Sequence, residues 1–87
     1  MSARSEAELM EAAAALEHER WSAWMRHLFD QGVRNADGTF TLPAWAVDRW
    51  TRQAETPYAN LSEPEKESDR REVRKQLEVV ERFRPAP

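Results

Sequence analysis

The chain has 87 residues, room for one domain. Hydrophobic residues make up 40% and charged residues 33%, with 13 basic and 16 acidic side chains for a net charge of −3. No stretch approaches the roughly 18 apolar residues of a membrane span. The absence of cysteine excludes disulfides, thiolate zinc sites and a cysteine nucleophile, and a pI near 5.4 without a basic block argues against direct DNA or RNA binding.

Leu, Val and Phe together number 14 and Ile is absent, under the roughly 20% at which disorder becomes a concern. The low net charge and four tryptophans oppose that reading, since each indole can bury on the order of 200 Å². The first residues, Met1 to Glu6, show no basic segment followed by a long apolar run, so no secretory signal is expected and the cytoplasm is the expected location. A core this thin needs a staple. With no disulfide and no metal expected, self-association is the remaining candidate, and a homodimer is the expected state.

The composition and periodicity predict a mainly α fold of about three helices, with a short irregular or hairpin segment in the middle. The first helix is expected over about residues 5–30. Ser5 is its predicted cap, with Glu6 and Glu8 in the first turn. At about 100° per residue, Leu9, Ala13, Leu16, Trp21, Trp24 and Leu28 fall in one wide arc, interrupted by Glu17 and Arg20. Residues 31–41 contain Asn35-Ala36-Asp37-Gly38, a turn signal able to close a short hairpin. The second helix is expected over residues 42–55, with Val47, Trp50 and Ala54 on one stripe, and Thr56-Pro57 breaks it. Residues 56–62 form a connector. Ser62-Glu63-Pro64-Glu65 is a capping box with proline in the first turn, and it predicts a third helix over residues 63–82. That helix carries the stripe Val73, Leu77, Val80, which becomes charged at Lys66, Asp69 and Arg70 in its first two turns. Residues 83–87 read as a frayed tail.

Few residues suggest catalysis. His18 and His27, nine apart on one helix, point about 180° from each other and cannot share an ion within one chain. Gly32 and Gly38 are the two glycines, so there is no glycine-rich phosphate loop. No acid–base pair stands out among 16 acids. No enzymatic activity, metal or cofactor is expected. The charged residues on apolar faces admit two readings. They pair across helices and hold register, or they line a polar pocket beside tryptophan. Trp24 and Trp50 sit centrally on their stripes and read as core. Trp21 lies nearer the edge of its arc beside His18, an arrangement suited to stacking on a flat ring.

Two segments resemble the ryanodine-receptor repeat domain. His18-Glu19-Arg20-Trp21 is similar to the family's His-Glu-x-Trp element on its first long helix. Thr56-Pro57-Tyr58-Ala59-Asn60-Leu61, with Glu65-Lys66 and Asp69-Arg70 following, is similar to its Pro-Tyr-x-x-Leu, Glu-Lys and Asp-Arg run into the last helix. The family's Gly-Trp-x-Tyr-Gly segment has no counterpart, and Gly32 to Phe40 stands in its place. The resemblance implies a small α-rich, non-enzymatic module of the single-repeat type found in bacterial and phage proteins, some accompanying nucleotide-signalling defence systems. Carried over by position, it implies a ligand site of His18, Trp21, Tyr58, Lys66, Asp69 and Arg70, with Trp21 stacking on a nucleotide-derived ligand and a homodimer completing the paired unit. The alternative expectation is a protein-interaction module, a phage-encoded adaptor or anti-defence inhibitor that caps a host protein through the 34–40 loop and the second helix.

Overall fold

A computed structural model describes residues 3–84. It is mainly helical: three helices with a two-strand hairpin between the first and second. Helix α1 spans Ala3–Asp30, about 42 Å at 1.5 Å per residue. It begins ahead of Ser5, which therefore lies in the first turn instead of capping it. The expected tail beyond Arg84 lies outside the described residues.

Strands β1, Val33–Arg34, and β2, Phe40–Thr41, pair antiparallel with Val33 opposite Thr41 and Arg34 opposite Phe40. The turn is closed by side chains as well as backbone. Asp37 accepts from the Thr39 amide at 3.0 Å and from its hydroxyl at 2.6 Å, and the Asn35 amide group donates to Thr39 and Thr41 hydroxyls at 2.9 Å each. Gly38 takes φ +90°, the left-handed region that glycine enters without a Cβ penalty. Phe40 meets Phe29 edge-on, centroids 5.3 Å apart, so the hairpin is anchored on the end of α1.

Helix α2 spans Ala44–Glu55. It starts two residues later than the sequence suggests. Thr41 belongs to β2, Leu42 precedes a proline and is biased to extended backbone, and Pro43 takes the N-cap position at φ −66°, ψ 150°. After a 3₁₀ turn over Tyr58–Asn60, helix α3 spans Glu63–Arg82. Its capping box is formed in both directions: Glu65 N–H donates to Ser62 Oγ, and Ser62 N–H donates to Glu65 Oε1.

Helices α1 and α3 pack against each other and run antiparallel. Arg20 lies within electrostatic reach of Glu72. Farther along α1, Trp24 connects through Trp50 and Gln53 of α2 to Glu65, which is earlier on α3. Among the described residues, two hydrophobic side chains are buried, Ala46 and Val79. The chain is flat: its principal extents are 55 × 35 × 16 Å, and its radius of gyration is 17.6 Å where a compact domain of this length has about 12 Å.

Candidate functional site

The six residues singled out by sequence fall into two groups. On α1, the His18 imidazole stacks on the Trp21 indole with centroids 6.2 Å apart and planes at 21°. His18 also lies 3.4 Å from the Ser22 hydroxyl. Trp21 is 52% exposed.

The second group gathers where the 3₁₀ turn enters α3. Tyr58 is 50% exposed, and the Lys66 ammonium sits 5.7 Å from its ring centroid, within cation–π range. Tyr58, Asp69 and Arg70, with Val73 and Arg74, line a shallow groove of about 540 Å³. Arg70 Nη1 donates to Glu63 Oε2 at 3.2 Å and pairs with Glu67 at 3.5 Å. Glu63 is the main cause, with the Tyr58 phenol contributing, that raises the Arg70 pKa above its ordinary value. Lys66 makes a longer pair with Glu63, at 3.8 Å. These charges are matched along α3 and not across the helices. The same is true on α1, where Arg20 forms a bidentate pair with Glu17 one turn earlier.

Helix geometry relates the two groups. Leu16 and Ala23 of α1 face Ser68 and Glu72 of α3 across the space between the helices, and Leu16 and Val79 lie on those same helix faces. Stepping about 100° per residue from this contact line at Leu16 and Val79, Trp21 lies about 140° round α1, and Lys66 and Arg70 lie about 140–180° round α3. By these angles Trp21 and the Lys66–Arg70 group both point away from the α1–α3 contact line, Arg70 directly opposite it, and the groove at Tyr58 and Arg70 is lined by α3 and the 3₁₀ turn without α1. The two groups make no direct contact with each other among the interactions described above.

A larger cleft of about 1100 Å³ opens between α1 and α3, lined by Arg20, Trp24, Gln53, Glu65, Asp69 and Glu72 among others. Its polar centre is Glu65. Gln53 Nε2 donates to Glu65 Oε2 at 2.6 Å, Arg52 Nη2 donates to the same oxygen at 2.9 Å, and the Ser62 hydroxyl donates to Oε1 at 2.7 Å. Ser62 first, then Arg52 and Gln53, hold the Glu65 carboxyl at about 2 against an ordinary 4.5. The sequence marked Glu65 as a capping residue. Its second role, joining α2 to α3, depends on Arg52 and Gln53, and no local pattern announced them.

Above the cleft, Trp24 meets Trp50 edge-on at 5.0 Å, and His27 lies 5.4 Å from Trp24 and 6.2 Å from Trp50. His18 and His27 thus have separate surroundings. Among the described residues, no group of three or more His, Asp or Glu is placed to hold a metal ion. No helix among them is long and apolar enough to cross a membrane.

No known family model matches the chain, and comparison with characterised proteins and with solved structures finds no significant match.

Proposed function

We propose that this chain is a non-enzymatic module that binds a flat, anionic small molecule of nucleotide-derived chemistry, with two copies of the chain as the working unit. The observation that carries the reading is the exposed Trp21 ring. A 52% exposed indole, braced on one side by His18, offers a stacking surface to a planar group, a contact worth about 1–3 kcal/mol per base. Lys66, Arg70 and the Tyr58 phenol at the start of α3 supply donors for phosphate. Arg70 is paired with Glu63 and Glu67 and Lys66 with Glu63 at 3.8 Å, so a bound phosphate takes the place of a carboxylate at either cation.

The likeness of two segments to the ryanodine-receptor repeat points the same way. In that reading the chain senses or sequesters a nucleotide signal in bacterial or phage defence, in the cytoplasm. The test is isothermal calorimetry with adenine nucleotides and cyclic oligonucleotides, repeated with Trp21→Ala. Binding that is lost in Trp21→Ala supports the reading, and no heat at millimolar ligand overturns it.

A second reading, a protein-interaction or anti-defence module, rests on α2. Trp45 and Val47 are exposed there, and Arg49 lies 5.4 Å over the Trp45 ring. Exposed tryptophan and arginine are common interface anchors.

A further inference from the structure

The α1–α3 pair is amphipathic as a unit. On α1, Met10, Ala14 and Trp21 lie within about 40° of one another on the helix surface. On α3, Val73, Leu77 and Val80 lie within about 60°. Both stripes stand about 100–160° from the α1–α3 contact line in the same rotational sense, so both emerge on one side of the antiparallel pair. The other side carries Glu11, Glu19 and Arg26 of α1 with Arg71, Lys75 and Glu78 of α3. The apolar side is uncovered at its centre: Met10 is 68% exposed and Leu77 is 61% exposed. Helix α2 reaches Trp24 and no farther towards Met10 among the contacts described. Glu17, the acid within the α1 stripe, is neutralised by Arg20.

Stable domains are built from at least two packed layers around a core. Here only two hydrophobic side chains among the described residues are buried, Ala46 and Val79, while Met10, Trp21, Val73, Leu77 and Val80 stay 42–68% exposed. The accessible surface is 7077 Å². A folded monomer of 10.2 kDa exposes about 5,300 Å², which leaves an excess of about 1,800 Å². A standard interface buries about 800 Å² per partner, and obligate dimers bury more. The excess has the size of an obligate interface.

We propose that the uncovered apolar side of the α1–α3 pair is a homodimer interface, and that the same side of a second copy covers it. A second copy is the occupant that the area calls for, because like apolar faces are self-complementary under two-fold symmetry. Two such pairs stacked face to face make a four-helix bundle, with Met10, Leu77 and Val80 in its core and Trp21 towards one end. This gives a location to the two-copy unit of the ligand reading. It rests on packing alone, so its failure and the failure of that reading are separable.

The experiment is sedimentation equilibrium of the full chain from about 1 to 100 µM, with Leu77→Glu as the interface variant. The expected result is a mass twice 10.2 kDa, and a dissociation constant at least about 100-fold weaker in Leu77→Glu. Because that variant can lose its fold along with its partner, thiol protection provides a second reading. The chain has no cysteine, so Leu77→Cys and Glu78→Cys each present one thiol, about 100° apart around α3. Protection of the thiol at position 77 that rises with protein concentration, with none at position 78, supports the proposal. A monomer at 100 µM with a cooperative melt overturns it, as does equal protection at the two positions. Calorimetry is read separately: a dimer that binds no nucleotide leaves this interface standing, and a monomer that binds one removes it.

Discussion

The Trp24 indole meets the Trp50 indole edge-on, with ring centroids 5.0 Å apart and planes at 73°. This T-shaped contact joins α1 to α2, with His27 tilted against both rings. Few buried aliphatic side chains share its work, since Ala46 and Val79 are the buried hydrophobics among the described residues. Trp50→Ala is therefore expected to lower unfolding free energy by about 2–3 kcal/mol, less than full burial would give because both rings stay partly exposed. Urea denaturation followed by circular dichroism measures this. A loss under about 0.5 kcal/mol would mean that α2 is held by something other than this pair.

The Glu65 network predicts a specific acid response. Its carboxyl titrates near 2 in the folded chain against an ordinary 4.5. A group whose folded pKa is depressed stabilises the fold fully above its unfolded pKa, and that contribution fades as pH falls towards the folded value. The melting temperature should hold above about pH 5 and decline from there towards pH 2. Glu65→Gln should melt lower at pH 7 and decline less steeply, although Glu17, Asp37 and Glu67 are shifted the same way and keep part of the slope. Parallel declines in the two proteins would show that Glu65 does not link α2 to α3.

Gly32 sits where backbone meets backbone. A Cβ there would lie 2.5 Å from the Thr41 carbonyl oxygen and 2.5 Å from the Phe40 ring. The carbonyl belongs to β2 and cannot swing aside as a flexible side chain would. Gly32→Ala should cost about 1–3 kcal/mol through overpacking and loosen the Phe29–Phe40 contact. Amide exchange of Asn35, whose N–H bonds to the Thr39 carbonyl at 2.7 Å, and of Thr41 should rise in this variant, while Gly38→Ala would strain the turn itself through its positive φ. Unchanged exchange at both amides would contradict the close packing at Gly32.

Much of the fold was legible because its signals are local. The Ser62–Glu65 capping box is a four-residue pattern and forms as read. The Asn35–Gly38 turn carries its own hydrogen-bonding side chains and closes the hairpin. Helix α2 was placed two residues early because proline at an N-cap and proline in a first turn look alike until the preceding residues are seen to pair as a strand. Of the candidate site, the His18–Trp21 stack and the Tyr58–Lys66 contact were also legible. One lies within a single helical turn, and the other bridges a short connector to the helix it enters. Of the charged residues on apolar faces, Glu17, Arg20, Lys66 and Arg70 pair along their own helices, whereas Asp69 lines the α1–α3 cleft and the Tyr58 groove.

The sequence by itself determined three helices, a hairpin and the composition of a thin core. Composition counts apolar residues, and periodicity says which of them share a side of a helix. Neither says whether that side meets another helix of the same chain. The tertiary structure decided this, because packing depends on where the loops send each element. It set Trp24 edge-on against Trp50, buried Val79, and left neighbouring Val80 42% exposed.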